Sequence, residues 1–379
     1  MGGYSIPGVY REEIEAPRRP AFRTGVPAFI GYTSSGPSDP TPIFAWPQFA
    51  STFGSNSAGH TAAAVRGFFQ NGGELCFILR LDDRRQSRDA LSDALDKLET
   101  VAEVDLLCMP EAMRSGEAGI DLQQQLIQWC DRGKERFAIL DPPLQSSVES
   151  VVSQWRALDG KNAALYYPWI DVTSLVDDGT QTVPPCGHIA GLIARTDHQR
   201  GFFSAPANSP LEGVLDLRDV LTDERQSEGD PFGVVNCLRI FPGRGLRLWG
   251  ARTISGEPDW RYINVRRLFL TFNRWLSAAM STLVYEPNTK ALWARVRRTI
   301  TAYLDDLHRR GGLAGSTAQQ AYFVRCDAST TPPSLRENGQ MVAEIGIAPV
   351  VPAEFIVVTL VFGAGEFFIG GEHPPERET

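Results

Sequence analysis

The chain reads as an α/β domain with a mostly parallel sheet and flanking helices, followed by a separate α+β domain. Two sequence features and the length lead there. From Gly25 to about Leu246, short apolar runs alternate with amphipathic helical patterns, which is how a doubly wound parallel sheet appears in sequence. After Trp249 the order changes to long helices and then strands, as in an independent α+β unit. The 379 residues also exceed what a single hydrophobic core usually serves.

Residues 1–24 read as an arm. Pro7, Pro17 and Pro20 interrupt it, and its strand-like stretch (Val9, Tyr10, Arg11, Glu12, Glu13 and Ile14) carries too little apolar surface to pack alone. It therefore needs a partner sheet. Within residues 25–246, PAFIGY, LCFILRL, VDLLCMP, RFAILD, AALYYPWIDV and HIAGLIA read as strands. Amphipathic helices are expected between Arg88 and Leu98, Gln123 and Cys130, and Ser147 and Leu158.

Residues 247–379 begin with an apolar stripe (Val265, Leu268, Phe269, Phe272, Leu276, Met280, Leu283) that predicts one helix from about Asn264 to Leu283. Pro287 and Asn288 read as breaker and N-cap of a second helix, which Gly311 and Gly312 stop. Strands are expected at Ala321 to Arg325, Met341 to Ile347 and Glu354 to Phe362, before a polar tail from about residue 363.

Apolar residues make up 42% and charged residues 22%, the balance of an ordinary globular protein. No apolar run reaches membrane-spanning length and the start lacks a secretion signal, so folding in the cytoplasm without membrane insertion is expected. The six cysteines are widely spaced without a CxxC pair, which predicts buried thiols and no metal. A net charge of −8 argues against nucleic acid as the partner of the whole molecule. Residues 261–310 nevertheless hold ten basic residues against three acids, which reads as a local basic face better suited to an acidic protein than to nucleic acid.

No phosphate-binding loop, dinucleotide fingerprint, nucleophile elbow or HExxH helix is present, and no cofactor is implied. Two clusters still offer chemistry. Asp105, Asp141 and Asp171 fall in or at the ends of expected strands and form the basis of an alternative, a metal-assisted α/β hydrolase. Arg195, Asp197, His198 and Arg200 concentrate in what reads as one loop. Strand-end carboxylates more often bond turn amides or cap helices, and solvated loops are often charged.

Several segments, in order, resemble the contractile phage tail sheath family: PGVYREE, PAFIGYTSSGP, AVRGFFQNGG, AALYYPWI, GHIAGLIARTDHQRGFFSAPAN, WGARTIS, WRYINVRRLFL, YEPNTKALWARVRRTITAYL, FVRCD and EIGIAPVVPAEFIV. The compact length is most similar to sheaths of R-type pyocins and extracellular contractile injection systems. The resemblance implies a structural subunit and not an enzyme. Such a subunit polymerises helically around an inner tube and contracts to drive that tube through a target membrane. It implies an outer domain at 25–246 and an inner domain at 247–379 completed by the arm. Its expected partners are further copies of itself, the inner tube protein, and baseplate and tail-terminator proteins. Assembly is expected in the bacterial cytoplasm, with release as a particle. Strands exchanged with neighbours would come from Val9 to Ile14 and from Glu354, Phe355, Ile356, Val357 and Val358, with Glu366 to Ile369 as a second possibility at the C-terminal end. The tube would be faced by Lys290, Arg295, Arg297 and Arg298.

Overall fold

The structure, a computed structural model, describes residues 22–55, 59–82, 87–116, 118–133, 135–144, 146–219, 235–354, 361–363 and 366–368. Its centre is an eight-stranded sheet. The strands are β1 (Pro27–Gly31), β2 (Thr41–Ile43), β3 (Cys76–Arg80), β4 (Leu106–Cys108), β5 (Phe137–Leu140), β6 (Ala163–Tyr167), β10 (Val235–Phe241) and β11 (Gly245–Trp249). They lie in the order β11-β10-β6-β5-β4-β1-β3-β2. The six inner strands run parallel, and β2 and β11 run antiparallel at the two edges.

A parallel sheet must be covered on both faces because its crossovers lie there. One face is covered by α1 (Trp46–Phe53), α2 (Thr61–Gln70) and α6 (Cys186–Arg200), and the other by α3 (Ser87–Leu98), α4 (Ala118–Gly133) and α5 (Val148–Ala157). Strand side chains alternate between these two cores, as Phe29 does with Ala28 and Ile30 in β1. A small sheet of β7 (Ile170–Thr173), β8 (Thr180–Val183) and β9 (Val214–Leu217) extends the first core.

Both edges of the large sheet are blunted. The segment Asn208–Leu211 runs along β11, with Asn208 N–H donating to Leu248 O at 2.7 Å and Leu248 N–H to Ser209 O at 3.1 Å. At the far edge, β2 has three residues and Pro42 at its centre, and proline supplies no N–H to a ladder.

The run HIAGLIA is helical, not a strand. Its helix α6 is buried on nearly all sides, so no polar face marks its period, and apolar runs of this length are ambiguous between the two structures. It lies close against α2. A Cβ on Gly187 would stand 2.2 Å from Ala64 O, and one on Gly191 would stand 2.4 Å from Phe68 O. The ARTDHQRG segment forms the last turns of this helix and its cap, so the expected charged loop does not exist there. Helices α1 and α2 had no counterpart among the expected elements.

The C-terminal part is built on α7 (Ile263–Ser281) and α8 (Lys290–Arg309). The predicted stripes meet, with Leu268 and Phe272 packing with Leu292, Trp293, Val296, Ile300, Leu304 and Leu307. The Thr289 side chain, not that of Asn288, caps α8. Strands β12 (Tyr322–Arg325) and β13 (Glu344–Ile347) form a two-stranded antiparallel sheet against this core. A short hairpin of β14 (Val361–Gly363) and β15 (Glu366–Phe368) follows.

Candidate functional site

The described chain begins at a buried charge cluster that joins three parts of the fold. Asp105 precedes β4 and accepts the backbone N–H groups of Gly25 (3.0 Å) and Val26 (2.7 Å). Gly25 has φ 71° and its missing Cβ would stand 2.6 Å from the Ala194 Cα, so the chain can enter the sheet here only as glycine. Arg267 on α7 forks onto Asp197 of α6 at 2.7 and 2.6 Å and reaches Asp105 at 3.3 Å.

One helical repeat further along α7, Arg274 donates to Arg23 O and to Glu103 O (3.1 Å), and its guanidinium lies 4.7 Å from the Phe22 ring. Phe22 and Arg23, the first described residues, are therefore held from α7. Burial disfavours charge on Arg267 and Asp197 alike, but two carboxylates against one guanidinium keep the Arg267 pKa above its ordinary value. Two acids and two arginines leave the cluster formally neutral, which is the condition for keeping charges inside a protein.

A second feature is the sheet of β12 and β13. Val324, Ile345 and Ile347 are partly buried against α7 and α8, whereas Phe323 on the other face is 52% exposed. Among the described residues no third strand joins either edge. Two strands alone are marginal, and such open edges are templates for pairing with another chain.

The expected basic face is smaller than the sequence count. Arg266, Arg267 and Arg274 are buried, because they lie on the side of α7 that packs on the first part of the chain. Arg295 pairs with Glu286, while Arg309 and Arg310 pair with Asp306. Lys290, Arg297 and Arg298 are exposed on α8.

Residues Val9 to Ile14 and Phe355 to Val358 lie outside the described residues. Glu354 is described and is tied to its own subunit. It takes a fork from Arg252, at 2.9 Å and 2.5 Å, and the Tyr262 hydroxyl at 3.2 Å. Burial pulls its pKa upward, but the Arg252 pair outweighs that and leaves it below the usual glutamate value. Of the second C-terminal stretch, Glu366–Phe368 pairs with β14 of the same chain.

The three aspartates of the hydrolase alternative do not converge. Asp105 sits before β4, at the amino end of the parallel sheet, whereas Asp141 follows β5 at the carboxyl end and accepts the Cys186 N–H at 3.0 Å. Asp171 lies in the small sheet, bonded to Thr182 at 2.6 Å and paired with Arg218 at 3.1 Å. Asp105 and Asp141 accept backbone amides and Asp171 a cross-strand hydroxyl and an arginine, all structural work, and among the described residues no group of side chains is arranged to hold a metal ion. The six cysteines are buried and unpaired. No described helix is long and apolar enough to cross a membrane.

Sequence reasoning missed the roles of Arg267 and Arg274. Their signal was present, since arginines seven apart share one face of a helix, but their partners lie 70 to 251 positions away in sequence.

Comparison with known proteins matches most of this chain. Residues 86–254 match the phage tail sheath protein central domain and residues 255–363 the phage tail sheath C-terminal domain. The contracted helical sheath of the anti-feeding prophage superposes with a TM-score of 0.79 at 34% identity, covering 94% of this chain and 99% of that one. The contracted PVC sheath of an extracellular contractile injection system gives 0.77 at 30% identity, covering 95% and 98%. The tail sheath protein of Enterobacteria phage T4 is 26% identical over 215 residues, 56% of this chain and 31% of the T4 protein. Matches to phage and prophage sheath proteins cover between 27% and 55% of those proteins' lengths. The chain belongs to the phage tail sheath protein family.

Proposed function

We propose that the chain is the structural subunit of a contractile sheath in a phage-tail-like particle of the extracellular injection type. The near full-length match to two contracted injection-system sheaths carries this reading. In it the arm strand Val9 to Ile14 and the stretch after Glu354 cross to neighbouring copies and add to open β12 or β13 edges by main-chain hydrogen bonding. The Arg274 grip on Phe22 and Arg23, and the Arg252 fork on Glu354, support this because each fixes the chain just inside a departing segment. The 25–246 domain lies outermost and the 247–379 domain innermost.

Contraction repacks rigid domains while the crossing segments bend. A gain of even about 1–3 kcal/mol per subunit, summed over a long polymer, supplies the stroke. Exposed Lys290, Arg297 and Arg298, with Arg295 beside its Glu286 partner, face an acidic inner tube through salt-sensitive contacts. Baseplate and terminator proteins cap the two ends, and particles assemble in the bacterial cytoplasm before release. No catalytic step belongs to this reading.

Electron microscopy of the concentrated full chain is expected to show hollow cylinders, and removal of residues 1–21 is expected to leave folded monomers. Cylinders unchanged by that removal would refute strand exchange. Reversing Arg297 and Arg298 to Glu is expected to give sheath that assembles without tube, and normally loaded particles would remove the tube assignment.

A further inference from the structure

Four arginines converge on one short stretch of backbone. Arg195 and Arg200, in the last turns of α6, donate to Pro210 O at 2.5 Å and to Ala205 O at 3.1 Å. Arg244 and Arg247, from the β10–β11 hairpin, donate to the Asn208 side chain and to Asn208 O, each at 2.7 Å. These bonds fasten residues 205–210 along β11 and also keep four positive charges together. Among the described residues no carboxylate pairs with any of the four, and most of their N–H donors are unspent. Like charges gathered without a counter-charge repel one another. Arg200 and Arg244 are exposed, and Ile240 in the same hairpin is 48% exposed.

The small sheet carries the opposite charge. Asp177 and Asp178 in the turn after β7, and Asp216 in β9, are exposed, and among the described residues none of them pairs with a base. Arg218 beside them is taken by Asp171 at 3.1 Å. The acids stand on fixed backbone: Asp177 accepts the Gly179 N–H at 3.1 Å, Ser174 N–H donates to Gly179 O at 2.9 Å, and Asp216 accepts the Leu217 N–H at 2.8 Å. Val176 in the turn is 64% exposed and Leu215 in the paired strand β9 is 58% exposed. Uncovered aliphatic side chains rimmed by carboxylates offer a partner both apolar area and charge.

We propose that the arginine patch of one copy docks on the Asp177, Asp178 and Asp216 face of a second copy, with Ile240 against Val176 and Leu215. Charge complementarity selects the occupant. The two patches are opposite in sign and both lack counter-charges, yet they do not pair inside the subunit, so a second copy supplies to each what its own chain withholds. Because the patches are different surfaces, each docked copy still offers one of each, and the contact repeats head to tail. Both lie within residues 25–246, so the contact is separate from strand addition at β12 and β13 and from the exposed bases of α8. The inference rests on the self-assembly reading, in which the neighbour of any copy is another copy.

The test compares full-length chains carrying Arg200→Glu with Arg244→Glu, Asp177→Lys with Asp178→Lys, and all four substitutions together. Either reversal alone is expected to raise the critical concentration for polymerisation about tenfold or more, and the combined chain, whose patches are again opposite in sign, is expected to return to within about threefold of wild type. A purely local role for the arginines in bracing residues 205–210 reads differently: it lowers the melting temperature of the unassembled chain and is not repaired by changes at Asp177 and Asp178. Polymerisation of either reversal at the wild-type concentration overturns the contact and leaves the sheath reading standing. Defects that persist in the combined chain overturn it in favour of the local role or of a partner other than this chain. A wild-type chain that never polymerises removes both readings.

Discussion

Replacing Arg267 with Met tests the charge cluster most directly. The substitution keeps the aliphatic volume but strips the partner from Asp197 and one partner from Asp105, whose side chains are 2% and 6% exposed. Removing one member of a buried pair costs about 3–5 kcal/mol. With an unfolding entropy of roughly 0.8 kcal/mol per kelvin for 379 residues, a cost of about 4 kcal/mol lowers the melting temperature by about 5 °C. The sign with pH is also determined. Without the guanidinium, which now opposes the effect of burial, the Asp197 carboxyl pKa in the folded state rises further above its unfolded value of about 3.9. The folded variant then binds extra protons, so its deficit is full near pH 8 and shrinks as the pH falls toward about 5. Melting curves of wild type and variant at several pH values read this out. A deficit that is constant with pH, or a shift below about 1 °C, would refute the account of the cluster as mutually neutralising charges.

His188 has both ring nitrogens buried without partners, and burial, with Arg66 adding to it, lowers its pKa to about 3. Its neutral form contributes nothing unfavourable above pH 6.5, and stability then falls as the pH drops toward about 3, by up to about 1.4 kcal/mol per pH unit. His188→Leu is expected to flatten that acid limb in a melting series. Asp141 moves the other way, burial raising its pKa to about 7 against the opposing Cys186 hydrogen bonds. Asp141→Asn keeps an oxygen for the Cys186 amide and is expected to raise the melting temperature at pH 8 but not at pH 5, by about 1–3 kcal/mol of stability. Gly25→Ala places a methyl group against Ala194 at positive φ and is expected to cost on the order of 2–3 kcal/mol in denaturant unfolding.

How legible the fold was depended on where each signal resides. The α7 and α8 stripes were readable because each helix has one buried and one exposed face, so composition alternates at the helical period. Helix α6 was misread for the opposite reason, since burial around its whole circumference erased that period. Strands β1, β3, β4, β5 and β6 appeared as short apolar runs because a covered parallel sheet needs nothing else of them. The basic count between residues 261 and 310 did not distinguish Arg297, which faces solvent, from Arg267, which is buried against two aspartates. That difference is set by residues far away in the chain.

The protected borders of the eight-stranded sheet bear on which backbone edges another polypeptide can reach. One border is occupied by Asn208–Leu211 and the other is cut short at Pro42, so neither readily accepts a stray polypeptide. Unsatisfied ladder positions remain on the little β12 and β13 pair. In the sheath reading proposed above, backbone pairing with another copy falls on that pair and not on the borders of the large sheet.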